Sequence, residues 1–210
     1  MEKEQLEKLD TFVQENKGKR KFTQSVELAV NFRGVDFSKQ DNRLNLQVTL
    51  PEGRGKESKA LVFADNKNIA EKAAALGAKV VPSAELGQIA SDKARMAELL
   101  NYELVAEPAL MTQIAKALGQ FLGPKNKMPR PLVGVDVAHV LDTISKSIYI
   151  RSKGKYLPTV HCVVGTEKMS AQQIAANIDE VVGSLAKKVG RQNIRSVYVK
   201  LTMSAPMKLV

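Results

Sequence analysis

Apolar and polar positions in this chain follow a period near 3.6 in some segments and a period of 2 in others, and the order of these segments sets the architecture. Residues 1–16 place Leu6, Leu9 and Val13 on one helical face, with Glu4 and Lys8 spaced for a surface ion pair. Lys17-Gly18-Lys19 breaks that helix. Ser25 to Asn31 and Arg43 to Leu50 then alternate as strands around the connection Gly34 to Asn42, a pattern that reads as an antiparallel pair. From Ala60 the texture changes. The apolar run Ala60 to Ala64, the helical run Asn66 to Leu76 closing on Gly77, and the short strand Lys79 to Val81 form a βαβ unit. Ser83 and Asp92 each begin a further short helical segment, and Glu103 to Ala106 reads as a strand. Ala109 to Phe121 and Asp136 to Ile148 read as helices, the second capped by Asp136 with His139 as a polar surface residue. After Ser152-Lys153-Gly154-Lys155, strand alternation returns at Thr159 to Val164. A long helix follows from Ser170 to Val189, with Ile174, Ile178, Val181, Val182 and Leu185 as its buried stripe, and Ser196 to Met203 is the last strand.

This order predicts a fold that is part α/β and part α+β, in two domains. Residues 1–58 and 150–210 form a discontinuous, sandwich-like α+β domain with an antiparallel sheet built from both termini. Residues 59–149 form an inserted, doubly wound, Rossmann-like α/β domain. The crossings near Gly53 to Lys59 and Ser152 to Lys155 are rich in glycine or charge and poor in apolar anchors, so both are expected to act as hinges. The loop Pro51 to Lys56 holds a Gly-Lys pair that suggests a phosphate-binding loop. That motif needs Gly where Leu50 stands and Ser or Thr where Glu57 stands, so a mobile basic connection is expected instead.

Charge changes the picture more than composition does. The 210 residues are 44% hydrophobic, which suits a globular protein, and carry a formal charge of +10. Twelve basic residues face ten acidic ones in residues 1–60, ten face nine in 61–149, and ten face three in 150–210. The excess lies in the discontinuous domain, where it attracts a polyanion better than it serves a neutral metabolite, although surplus lysine also aids solubility alone. An aromatic content of 5% without Trp argues against a broad base-stacking surface. No long apolar run or apolar leader is present, which predicts a cytoplasmic protein without membrane association. Cys162 is a single cysteine and is read as core; neither it, His161 nor His139 completes a metal site, so no metal or cofactor is expected.

The segment Leu118 to Pro131, LGQFLGPKNKMPRP, ends an apolar helix in a proline-bounded basic loop. Spacing alone gives a solvated helix-to-strand connection. Its residues Gly123, Pro124, Lys125, Lys127, Met128 and Pro129 resemble the signature of the L-one family of large-subunit ribosomal proteins in its archaeal form. Asn126 stands where that family usually has Gly. The C-terminal run Ser196-Val197-Tyr198-Val199-Lys200-Leu201-Thr202-Met203 resembles the family's strand ending in Thr-Met, with Ser204 in place of the following Gly. Lys21-Phe22-Thr23-Gln24-Ser25-Val26-Glu27 resembles its partner segment. The three motifs keep the family's order and separation over essentially the full chain.

The resemblance implies a structural constituent of the large ribosomal subunit rather than an enzyme. It implies binding of large-subunit ribosomal RNA at the mobile stalk near the transfer RNA exit site, help in releasing deacylated transfer RNA, and repression of the protein's own messenger RNA. It also implies a monomer when free. The residues implied at RNA are Lys21, Phe22, Ser25, Glu27, Ser196, Lys200, Thr202, Met203 and Ser204. Short hydroxyls and a carboxylate on a sheet can exchange hydrogen bonds with ribose 2′-hydroxyls and base edges, which lysines alone cannot read. Alternation puts Ser25 and Glu27 on one strand face, and Ser196, Tyr198, Lys200 and Thr202 on another. Residue type alone assigns Phe22 and Met203 to the core, Thr202 to β-propensity and Glu27 to a solvated charge. Two other classes stay open on the residues: a nucleotide-binding or small-molecule-binding α/β enzyme, which would need a Gly-x-Gly-x-x-Gly where Asp65-Asn66-Lys67 stands, and a general RNA-binding module.

Overall fold

The structure is a computed structural model that describes residues 3–132, 136–152 and 157–209. The chain divides into two compact units, one of residues 1–56 with 146–210 and one of residues 57–145. An antiparallel sheet comes from the two chain ends, and a parallel sheet flanked by helices comes from the middle.

In the first unit α1 (Lys3–Asn16) buries Leu9 and Val13, and Lys8 Nζ donates to Glu4 Oε1 at 2.6 Å on its solvent side. β1 (Ser25–Phe32) and β2 (Asn45–Thr49) follow. The connection between them is anchored, because Phe37 is buried and meets Phe32 edge-on with ring centroids 5.3 Å apart. β1 and β2 are not the antiparallel pair that their alternation suggests. Both edges of β1 are taken by strands from the far end of the sequence, and β2 pairs elsewhere. Alternation announces a strand without naming its neighbour.

The second unit runs β3 (Ala60–Phe63), α2 (Lys67–Ala75), β4 (Lys79–Val81), α3 (Leu86–Ser91), α4 (Lys93–Leu99), β5 (Glu103–Ala106), α5 (Met111–Leu122), β6 (Arg130–Pro131) and α6 (Val137–Lys146). Its caps are those that the residues call for. Asn66 Oδ1 accepts the Asn68 N–H, Asp92 Oδ1 accepts that of Ala94, and Asp136 Oδ1 accepts that of Ala138. All pairings in the sheet β4-β3-β5-β6 are parallel. Leu61, Phe63, Leu104 and Ala106 face α3, α4 and α5, while Val62, Ala64 and Val105 face α2 and α6. Burial on both faces explains the unbroken apolar runs. Pro131 is tolerated in β6 because that strand is an edge.

Return to the first unit brings β7 (Ser147–Arg151), β8 (Thr159–Thr166), α7 (Ala171–Val189), β9 (Ile194–Leu201) and β10 (Met207–Lys208). The helix expected to reach Ile148 stops at Lys146. Ile148 and Ile150 leave it as a strand because, with period 2, they meet the core beside Leu46 and Val48 of β2. The return crossing therefore precedes β7 instead of lying at Ser152 to Lys155, of which Lys153 to Lys155 fall outside the described residues. The main sheet has the order β10-β9-β1-β8, and β2 with β7 forms a separate ribbon. α7 starts with a full capping box between Ser170 and Gln173, and its Ile174, Ile178, Val181 and Leu185 complete the core under both.

The loop after β2 is held, contrary to the mobile connection expected there. Asn177, fully buried on α7, accepts the Glu52 N–H at 3.1 Å and donates to the Gly53 and Val164 carbonyls, each at 2.8 Å. Thr166 Oγ1 donates to the Gly55 carbonyl at 3.1 Å, and Arg54 donates to the Ser147 carbonyl. Gly55 has φ +67°, and a Cβ there would lie 2.5 Å from Met169 Sδ. Only glycine fits this turn.

Asn177→Leu should lower unfolding free energy by roughly 1–3 kcal/mol, because it strands buried peptide groups, with the loss read as a shifted urea midpoint. An unchanged midpoint would show that the loop contacts contribute nothing. Cys162, packed against the main core, has its thiol pushed up to about 12 by burial. At pH 8 it should react with a thiol reagent far more slowly in the folded protein than in urea.

Candidate nucleic-acid interface

One face of the main sheet packs on the helices and the other meets solvent. β1 shows the division residue by residue, with Val26, Leu28, Val30 and Phe32 buried and Ser25, Glu27, Ala29 and Asn31 partly open. Cross-strand register sorts the open face into rows. Thr159, Asn31 and Ser196 form one row, His161, Ala29 and Tyr198 the next, and Val163, Glu27 and Lys200 a third. Ser25 and Thr202 close the end of the face.

The rows are held by contacts within the sheet. Ser25 N–H donates to Thr202 Oγ1 at 3.1 Å, and Thr202 N–H donates to the Ser25 carbonyl at the same distance. Lys200 Nζ lies 3.9 Å from Glu27 Oε2, with each side chain about one-third exposed. At that exposure the pair adds little to stability and stays accessible to a ligand. Ser196 is buried and accepts a hydrogen bond from Asn31 Nδ2 at 3.0 Å, so it presents little surface of its own. Lys21 is exposed in the loop before β1.

Phe22 is 51% exposed and Met203 57% exposed, against the core positions that residue type alone gives them. Buried Gln24 fixes the backbone at Met203. Its Nε2 donates to the Asn16 carbonyl at 3.1 Å and to Glu167 Oε2 at 3.2 Å, and its Oε1 accepts the Met203 N–H at 3.2 Å. Ser204 needs no glycine-like backbone, since Asn126 is the one non-glycine residue with positive φ among the described residues. Ser204 Oγ accepts the Leu201 N–H at 2.9 Å and closes the turn after β9. Asn31, Thr159 and His161 belong to the same face but carry no motif. Their signal was alternation on β1 and β8, usable only once those strands are known to be neighbours.

The Gly123 to Pro129 loop lies in the other unit. Asn126 has φ +54°, which its short amide tolerates in place of Gly. Lys125 Nζ sits 4.4 Å over the Phe121 ring. Lys127 donates to the Tyr102 carbonyl at 3.3 Å and lies 3.7 Å from Glu103, which also pairs with Arg130 at 3.7 Å. Pro129 is buried, Gly123 and Pro124 are exposed, and Met128 is 37% exposed. The loop's cations are thus largely turned to holding β5 and β6 together.

The crevice that a nucleotide would use is occupied by the chain's own acids. At the carboxyl ends of β3 and β5, Glu107 Oε2 accepts the N–H groups of Asp65 and Asn66 at 3.3 and 3.4 Å, at the start of α2. Asp65 accepts the Ser83 N–H at 2.8 Å, which holds its carboxyl below the usual range. Two carboxylates where a doubly wound sheet would bind phosphate oppose an anionic ligand. Among the described residues no group of three or more His, Cys, Asp or Glu could hold a metal ion, and no helix is long and apolar enough to cross a membrane.

Comparison with known proteins gives this surface its context. The profile of the Ribosomal protein L1p/L10e family matches residues 13–205. Large ribosomal subunit protein uL1 of Pyrococcus horikoshii is 42% identical over 196 residues, covering 90% of this chain and 88% of its own. The protein of that name from Methanocella arvoryzae is 41% identical over 199 residues, covering 91% and 92%. That from Thermoplasma acidophilum is 38% identical over 202 residues, covering 94% and 92%. These relatives are ribosomal proteins, not enzymes, and the match runs through both units. The chain belongs to the Ribosomal protein L1p/L10e family.

Proposed function

We propose that this protein is a structural constituent of the large ribosomal subunit that binds large-subunit ribosomal RNA through the open face of its main sheet. The observation that carries this reading is the register of β1 on β9. It sets Ser25 beside Thr202 and Glu27 opposite Lys200 on one solvent face, flanked by exposed Phe22 and Met203. Hydroxyls held at fixed positions exchange hydrogen bonds with ribose 2′-hydroxyls, the acid–base pair offers both an acceptor and a cation, and the two apolar side chains cover a ribose or base. Lys21, Ser196 and Ser204 complete the proposed contact set, Ser196 and Ser204 chiefly by fixing backbone and neighbours. The unit of residues 1–56 and 146–210 carries this contact, and the inserted residues 57–145 hold the Gly123 to Pro129 loop.

The same reading places the protein in the cytoplasm on the ribosome, and as a monomer when free. On family resemblance it assists the release of deacylated transfer RNA and represses its own messenger RNA through the same sheet residues. One surface cannot hold two RNAs at once, so feedback requires that the ribosomal site bind more tightly than the transcript.

Filter binding to a ribosomal stalk fragment tests the surface. Thr202→Ala should weaken binding by roughly 1–3 kcal/mol with little change in salt dependence, and Lys200→Ala should lower the salt slope by about one unit. A urea midpoint near the wild-type value would separate lost contact from lost folding. Wild-type affinity and slope in both variants would remove this strand from the interface. In competition at fixed salt, the ribosomal fragment should displace the protein's own transcript, and Thr202→Ala should weaken both complexes. Simultaneous binding of the two RNAs to one protein molecule would overturn the feedback reading while sparing the ribosomal one.

A further inference from the structure

At the end away from Thr202 and Met203, the open face of the main sheet carries a hollow of about 390 Å³ beside the row Thr159, Asn31 and Ser196. That volume lies within the roughly 300–1,000 Å³ of small-ligand sites. Leu157, Pro158 and Tyr198 give it apolar walls, while Asn31, Thr159 and Arg195 bring polar groups to its lining.

Backbone geometry builds the hollow from both sides. Phe32 N–H donates to the Pro158 carbonyl at 2.8 Å, which ties the entry to β8 against the end of β1. Leu157 is 60% exposed there, a position that its residue type disfavours. On the other side the ladder of β1 with β9 slips. Asn31 pairs with Ser196 but Phe32 pairs with Ile194, which leaves Arg195 as the extra residue of a bulge. In a regular strand Arg195 would point away from the face that holds Ser196 and Tyr198. The bulge brings it to the lining of the same hollow as these two residues.

The polar groups in the hollow have bonding capacity to spare. Asn31 Nδ2 gives one hydrogen to Ser196 Oγ at 3.0 Å, which fixes the amide. Its oxygen and second hydrogen have no partner among the described residues, and neither have the hydroxyls of Thr159 and Tyr198 or the guanidinium of Arg195. A fixed amide offers one acceptor and one donor side by side, which matches the edge of a nucleobase. A tyrosine ring and an exposed leucine offer surface to the base's face, a threonine hydroxyl suits a ribose 2′-hydroxyl, and an arginine without an acidic partner suits a phosphate. A base stacked in a duplex cannot enter such a hollow, whereas one that stands out of a loop or bulge can.

We infer that this hollow receives a single unstacked nucleotide of the bound RNA and reads its base. Asn31 bonds to the base edge, Tyr198 and Leu157 lie against the base, Thr159 meets the ribose, and Arg195 holds a phosphate. The inference rests on the reading that the open face binds RNA, and it adds a base-specific contact at the far end of that face from Ser25 and Thr202.

The test scans the ribosomal stalk fragment with single abasic sites and measures filter binding to the full-length wild-type chain and its variants. One unpaired position, when abasic, should weaken wild-type binding about tenfold. Asn31→Ala should weaken binding of the intact fragment by about the same factor, and the two changes together should cost about tenfold rather than a hundredfold. Thr202→Ala, at the other end of the face, should instead multiply the loss caused by that abasic site. Arg195→Ala should lower the salt slope by about one unit. Thr159→Val, which keeps the side-chain shape, supplies a second variant should the urea midpoint of Asn31→Ala fall, and it too should bind the intact fragment several-fold more weakly. Losses that multiply with Asn31→Ala at every position, or a slope unchanged in Arg195→Ala, would overturn the inference and leave the ribosomal reading standing. A wild-type chain that does not bind the intact fragment would overturn both.

Discussion

The buried amide of Asn177 is the constraint on which the first unit turns. A primary amide taken fully out of water must satisfy its oxygen and both hydrogens, and on α7 those partners are the Glu52 N–H and the Gly53 and Val164 carbonyls. One side chain thus ties the long helix, the strand β8 and the point where the chain leaves for the second unit. The end of β2 is fixed by it, and β7 must then enter beside β2, as Thr49 opposite Ser147 shows. Leu50 N–H donating to the Lys146 carbonyl joins the outgoing and returning chain at the same place.

That anchoring explains why the open faces of this unit are so ordered. A sheet with helices on one side leaves its other side to water, and there polar groups can be positioned only by register and by each other. Glu27 opposite Lys200 and Ser25 beside Thr202 are consequences of β1 sitting between β8 and β9. The second unit solves a different problem. Its sheet is covered on both sides, its loop cations Lys127 and Arg130 pair with Glu103, and its phosphate crevice is filled by Asp65 and Glu107.

Local chemistry made much of this legible in the sequence. Caps such as Asn66, Asp92 and Ser170, the stripe of α7 and the apolar runs of β3 and β5 depend on residues a few positions apart, and they stand as read. Non-local choices were not legible. The pairing of β1 and the strand β7 concealed behind helical spacing at Ile144 and Ile148 are decided by neighbours over a hundred positions away, and the short β10 rests on two residues paired with β9. The loop Pro51 to Lys56, expected as a mobile connection, is held for the same reason, since Thr166, Met169 and Asn177, which pack or bond to it, come from the far end of the chain. The alternation of Ser25 with Glu27 placed them on one face, whereas the position of Met203 is fixed by Gln24, whose three partners no spacing rule connects.

The position of β1 has a consequence in time. A ribosome delivers the N-terminus first, and β1 emerges with two unpaired edges whose partners lie at residues 159–166 and 194–201. The parallel sheet of the second unit draws only on residues 60–131 and is complete far earlier in synthesis. Folding during translation therefore proceeds from the middle of the chain outward, with one edge of β1 open until β8 appears and the other until β9 does. A nascent or truncated chain that stops short of β9 has no assembled open face, and the unpaired edge of β1 is then the part of it most open to wrong strand pairing.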